Sequence, residues 1–359
     1  DASLIDLFGG PPDDFLDDIA SDFSVENASS LTGSSSGKNV GLWLNNSELT
    51  TTDGDLILVG LGGEGENQLH GIWLADTKLN SEMGSIVADG ISGNGGTDMN
   101  GIIFEFSDLI SGDMIKLTGV SGESETASSN SGIYLDDSFL SASAIKAWGY
   151  GGNVTEKGDI LDGIYSSDSK WLAVDRLKLN GYAGYGPYIS QSNGISLYGG
   201  NLSAGSISLV GSGTSSDQQA VDLSRRVLSS SDRSDNHGVD LHSVDLRAGQ
   251  SLVVMGSAGS GNSVLDGVHL EDSTLFTGKK MIITGQGSSD YGQQIESSDG
   301  IYADSSLLES DGLINLNGFG GSGWSIENSH GVELLGQTVV DGKRVTIEGN
   351  GGFAEKKNV

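Results

Sequence analysis

Nine polar residues stand directly before a glycine at nearly regular intervals: His70, Asn100, Ser131, Asp162, Asn193, His237, Asp266, Asp299 and His330. Asn, Asp and His tolerate the left-handed backbone that accompanies a glycine corner, so turn formation explains the column as a whole. A sharper chemistry concerns its last four members. If the chain stacks His237, Asp266, Asp299 and His330, the two carboxylates repel and the flanking imidazoles gain charge to relieve them, which makes a polar ladder sensitive to pH. A catalytic pair formed by Asp266 and Asp299 is the third reading.

Other motifs are weaker. Gly60-Leu61-Gly62-Gly63-Glu64-Gly65 fits the dinucleotide pattern G-x-G-x-x-G, but no helical pattern follows to present an N-terminus to a pyrophosphate. Gly62 to His70 approaches the nonapeptide of calcium-binding β-rolls, with Asn67 in place of its Asp. Calcium is the one candidate ion, held diffusely by the acidic pairs Asp136-Asp137 and Glu271-Asp272, which a solvated strand face explains equally well. No other cofactor is indicated. Ser47, Thr77, Ser107, Ser138, Ser169, Ser273 and Ser306 recur at one offset and read as ladder or turn hydroxyls, with no G-x-S-x-G elbow. Trp148, Tyr150, Tyr182, Tyr185, Tyr188 and Trp324 stand in Gly-rich stretches, where exposed rings suit sugar stacking and also suit packing against the body or a sister molecule. Ser212 to His237, with Arg225, Arg226 and Arg233, is the one locally basic stretch.

A repeat must position all of these. Taking the glycine that opens each aliphatic run, Gly41, Gly71, Gly101, Gly132, Gly163, Gly194, Gly238, Gly267, Gly300 and Gly331, eight of nine spacings fall between 29 and 33 residues. The next residue is aliphatic in all ten repeats, from Leu42 to Val332, and the third after the glycine is Leu in seven of them. The eighth is Leu in eight, with Trp171 and Val339 the exceptions. A closing glycine, Gly60 through Gly349, follows 17 to 19 residues after the opening one, preceded by apolar residues two and four positions earlier. The distance to the next opening glycine ranges from 11 to 27, so length varies at one corner only. Short alternating runs bounded by Gly, Asn, Asp and Ser are strands, three per unit. The pattern predicts an all-β fold, a parallel β-helix (β-solenoid) of about ten coils, right-handed by the general crossover preference and about 48 Å long.

Domain organisation follows. Residues 1–38 form an acidic segment in which Pro11-Pro12-Asp13-Asp14 leads into Phe15, Leu16, Ile19 and Phe23, predicting a short amphipathic helix that caps the first coil; a disordered acidic linker, or a segment that docks on a neighbouring molecule, is the alternative. Residues 39–349 are the solenoid, and 350–359 are a tail or the start of a further coil with no visible cap.

Among 359 residues, 57 are Gly and 3 Pro without a Gly-X-Y register, which excludes collagen. With no Cys, disulfide scaffolds, zinc-thiolate sites and Cys nucleophiles are excluded. A formal charge of −31 argues against nucleic-acid partners, and no apolar run is long enough for membrane insertion.

Units of the form Gly-Ile-x-Leu-x-x-Ser-x-Leu followed by Ile-x-Leu-x-Gly resemble the β-solenoid repeats of filamentous-haemagglutinin-like bacterial surface proteins, from Val40 to Gly349. The resemblance implies a secreted or cell-surface, extracellular protein serving adhesion or matrix building, and no enzyme. The expectation is a structural or adhesive filament component that self-associates head-to-tail through the solenoid ends. The alternative is a β-helix that binds or cleaves polysaccharide, with glycans as partners.

Overall fold

The computed structural model describes residues 38–186, 189–214, 235–261, 263–288, 294–323 and 325–353. The chain divides into two compact units, Asp1–Ser34 and Ser35–Val359, and every described residue belongs to the second. The expected N-terminal helix, with Phe15, Leu16, Ile19 and Phe23, lies outside the described residues, as do Tyr188, Trp324 and the three arginines of the long insertion.

The described residues form an all-β parallel solenoid with no helix. Ten four-residue strands, from Leu42–Asn45 to Val332–Leu335, stack into one sheet, with about nine turns of chain between the first and the last. Each pairs in parallel with the same positions one repeat on, as Ile133 pairs with Ile102 on one side and Ile164 on the other. Alternation then sends one face inward. Ile133, Leu135, Leu140, Ile145 and Ala147 of the fourth repeat are all buried and belong to a single core that runs through the repeats.

The three strands expected per unit are two in several repeats. Phe139–Tyr150, Lys170–Tyr182 and Asn201–Ser212 are single strands of 12 or 13 residues in a 14-stranded sheet. Irregularities in pairing, such as that between Ala142 and Ala144, let the chain bend without leaving the extended conformation. The variable corner also builds structure: Glu123–Ser129, Asn153–Ile160 and Ile189–Gln191 form a three-stranded sheet over a small cluster of Ala127, Val154, Leu161 and Ile189.

The glycine columns mark close approach. A Cβ on Gly132 would lie 2.1 Å from the Tyr150 nitrogen, and one on Gly149 would lie 1.9 Å from the Gly163 oxygen. Opening and closing glycines therefore meet where no side chain fits.

Five residues after each opening glycine the backbone is left-handed in every repeat, including Asn46, Asp76, Phe106, Asp137, Asp168, Ser243, Asp272 and Ser305. The next column holds the recurring hydroxyls. Ser107, Ser138, Ser169, Ser273 and Ser306 each donate to the carbonyl two residues back, as Ser138 does to Asp136 at 2.9 Å, and accept from an N–H of the preceding repeat, as Ser138 does from Ser107 at 3.2 Å. Gly200 and Val244 interrupt this column in repeats six and seven.

Candidate functional site

The column before the opening glycine forms two hydrogen-bonded runs, His70 to Ser131 and Asp162 to His330, and between them the Ser131 hydroxyl is buried without a hydrogen-bond partner among the described residues. His70 Nδ1 accepts from Asn100 N–H at 3.2 Å, and Asn100 Oδ1 accepts from Ser131 N–H at 2.7 Å. Asp162 accepts from Asn193 N–H and Asn193 from His237 N–H, both at 2.7 Å. His237 Nδ1 then accepts from Asp266 N–H at 3.2 Å, Asp266 Oδ1 from Asp299 N–H at 2.9 Å, and Asp299 Oδ1 from His330 N–H at 2.5 Å. Asn, Asp and neutral His recur here because each offers an acceptor to the next repeat's N–H, which would otherwise be buried unpaired.

Burial sets the protonation of several rungs. Desolvation lowers His70 to about 4, with Lys38 adding to the effect. Desolvation raises Asp162 to about 7 against three opposing hydrogen bonds, from Ser196, Asn193 and Gln191. His237 is also lowered, by burial first and by His269 second. Its Nδ1 accepts a hydrogen bond, so the neutral ring carries its proton on Nε2.

The two carboxylates of the expected four-residue ladder do not rely on the imidazoles that flank them in the column alone. His269, which faces outward on the strand Val268–Glu271, lies with Nδ1 2.8 Å from Asp266 Oδ2 and stacks between His237 and Tyr302, at ring separations of 4.6 and 4.7 Å. Burial opposes charge on His269, but the bond to Asp266 and the carboxylates of Asp240, Asp266 and Glu271 outweigh it and push the imidazole up to about 9. His330 Nδ1 lies 3.1 Å from Asp299 Oδ1 and 3.5 Å from Glu333 Oε2.

Of the column, Asn193 and His237 open onto a lateral cleft of about 360 Å³ between the corner sheet and the outward face of the ten-stranded sheet. Tyr198, Asp235, His237, Asp240, His269 and Glu271 are among its walls. Tyr198 donates its hydroxyl to Asp240 Oδ2 at 2.7 Å, and burial together with Asp240 and Asp162 raises the phenol well above its ordinary range. His242 Nδ1 lies 3.2 Å from Glu271 Oε2 on the rim. Carboxylates, imidazoles and one phenol thus converge, a set able to bind cations, exchange protons or hydrogen-bond polyols.

Among the described residues, two groups of three side chains are spaced to hold a metal ion: His237, Asp266 and His269, and Asp299, His330 and Glu333. The acidic pairs Asp136-Asp137 and Glu271-Asp272 belong to neither. Asp137 and Asp272 occupy the left-handed turn column, a backbone role that Asp fills well. Burial and the neighbouring Asp137 and Asp168 raise Asp136.

The aromatics divide. Tyr150 and Tyr182 stack at 5.1 Å, one repeat apart, while Trp148 and Tyr185 are partly buried in the same region. A second aromatic series runs along the outward face of the ten-stranded sheet: Trp43 on Trp73 at 5.5 Å, Tyr134 on Tyr165 at 5.0 Å, and Tyr165 beside Tyr198 at 5.6 Å. Asp240, His269 and the tyrosines of this face stand out only when the outward positions of the repeat are aligned as the inward ones are. Comparison with protein-family models, curated proteins and solved structures finds no match to this chain.

Proposed function

We propose that the protein is an extracellular structural or adhesive rod, a fibre or matrix component in which the solenoid continues from one molecule to the next. The in-register stacking carries this reading: ten strands pair in parallel, position for position, and each repeat offers the next the same apolar columns and strand edge. Leu334, Val339, Val345 and Ile347 are 37 to 50% exposed, although earlier repeats bury the same columns. Among the described residues, the strands Val332–Leu335 and Val339–Asn350 each pair on one side only. At the opposite end, Leu42, Leu44, Leu49 and Leu56 hold the matching columns and are only partly buried. The two faces are successive steps of one repeat, so a second copy set end to end extends both the core and the strand ladders. Such a contact is head-to-tail and does not close, which generates fibres.

The extracellular assignment rests on the resemblance to filamentous-haemagglutinin-like repeats. Electron microscopy of the 359-residue chain across concentration, with calcium and with chelator, tests the reading. Fibres with an axial repeat of about one rod length support it; their loss in Leu334→Lys with Ile347→Lys assigns the contact. Isolated short rods under every condition overturn it.

The cleft favours a second reading, polysaccharide binding or cleavage, because acids, imidazoles and Tyr198 line one groove. Titration with soluble acidic and neutral glycans tests it, with Asp240→Asn expected to weaken any binding or turnover.

A further inference from the structure

We propose that His237, Asp266 and His269 bind one divalent transition-metal ion, of the zinc, nickel or copper type, in the wall of the lateral cleft. The donor set points to this class. Two imidazoles with one carboxylate suit borderline transition metals, whereas calcium and magnesium take oxygen ligands.

Spacing agrees. His269 Nδ1 stands 2.8 Å and His237 Nδ1 3.9 Å from the same oxygen, Asp266 Oδ2, and one donor atom from each residue lies within 4.8 Å of the others. Two donors bound to one ion at roughly 2.0–2.2 Å stand roughly 3 to 4 Å apart, so small side-chain rotations are enough. The ion takes the place of the proton that His269 shares with Asp266. Coordination through His237 Nδ1 gives up one long bond, the 3.2 Å contact from Asp266 N–H.

The surroundings hold these side chains in place. Asp266 Oδ1 accepts from Asp299 N–H at 2.9 Å, which orients the carboxylate, and Tyr302 stacks on His269 with 10° between the rings. The side chains of His237, Asp266 and His269 are 6, 0 and 17% exposed. His237 and His269 also line the cleft, which leaves the open side of the ion to water or a ligand. In the other group, Asp299, His330 and Glu333, the imidazole is 48% exposed and already lies against two carboxylates.

The test uses the chelator-stripped 359-residue chain titrated with zinc chloride alone, read by calorimetry and by metal analysis after dialysis. One equivalent is expected. His237→Asn and His269→Tyr should each weaken binding at least tenfold, and His330→Asn should leave it unchanged. The columns carry Asn100, Asn193 and Tyr302 elsewhere, so these variants suit the fold, which circular dichroism checks. No zinc retained at micromolar concentration, binding that survives either triad substitution, or loss in His330→Asn overturns the assignment. If a triad variant fails to fold, electron paramagnetic resonance of the parent chain loaded with one equivalent of copper decides. Nitrogen couplings from two imidazoles support the site; one or none overturns it.

Discussion

Trp171 donates its indole N–H to Ser166 Oγ at 3.2 Å inside the solenoid core. Both residues depart from the Leu that dominates their columns, and both do so in the same repeat. The large ring fills the space that the small side chain leaves, and the hydroxyl accepts the N–H that the core would otherwise strand. Substituting one alone should therefore be costly. Ser166→Leu overpacks, Trp171→Leu leaves a void and an unpaired hydroxyl, and each should destabilise by about 1–3 kcal/mol. The double variant restores the common pair and should recover most of the loss. A double-mutant cycle by urea denaturation checks it; additive losses would show that the two residues do not compensate.

Two buried rungs of the polar ladder give opposite pH dependences. His70, lowered to about 4 from 6.5, stays neutral in the fold while the unfolded chain takes up a proton. Its contribution is complete above pH 6.5 and is lost as pH falls through about 4. Asp162, raised to about 7 from 3.8, stays protonated in the fold while the unfolded chain ionises, so its contribution is complete below pH 3.8 and is lost as pH rises through about 7. Each shift corresponds to about 3–4 kcal/mol over its window. The two slopes oppose each other in the parent chain. His70→Asn should unmask a fall in stability from pH 4 to 7, and Asp162→Asn should unmask a rise from pH 4 to 6.5. Denaturant midpoints at half-unit pH steps check both, and parallel curves for parent and variants would count against the assignment.

Phe106 occupies the left-handed column at φ 50°, where five other repeats place Asn or Asp, and its ring is 57% exposed. A bulky side chain gains nothing there and pays the steric cost of that backbone. Phe106→Asn should stabilise by about 1 kcal/mol, read as a higher thermal midpoint. An unchanged or lower midpoint would mean that the ring makes a contact worth as much as the strain.

The inward columns were legible because every repeat presents the same environment to them. Ile133, Ile164 and Ile195 fill one slot in successive turns, so the same residue type recurs. Outward positions share no such constraint. Asp240, His269 and Tyr302 occupy one offset with nothing in common as a column, and only stacking brings His237 to Asp266 and His269. The left-handed column was hidden for a related reason. Asp137 and Asp272 read as halves of acidic pairs, whereas their common offset from the glycine marks a backbone conformation. The corner sheet escaped because Glu123–Ser129 and Asn153–Ile160 are polar, Gly-flanked stretches whose strand character comes from pairing with each other.

The gap in the hydroxyl column at Gly200 and Val244 falls in the repeats that border the cleft. Upstream, Thr77, Ser107, Ser138 and Ser169 are stitched side chain to amide, and stitching resumes where Val244 N–H reaches Ser273 and Ser273 N–H reaches Ser306. Between the two runs, neighbouring repeats are coupled without that tether. Amide hydrogen exchange is therefore expected to be fastest for the core strands on either side of this seam, with local opening greatest where the polar cleft lies.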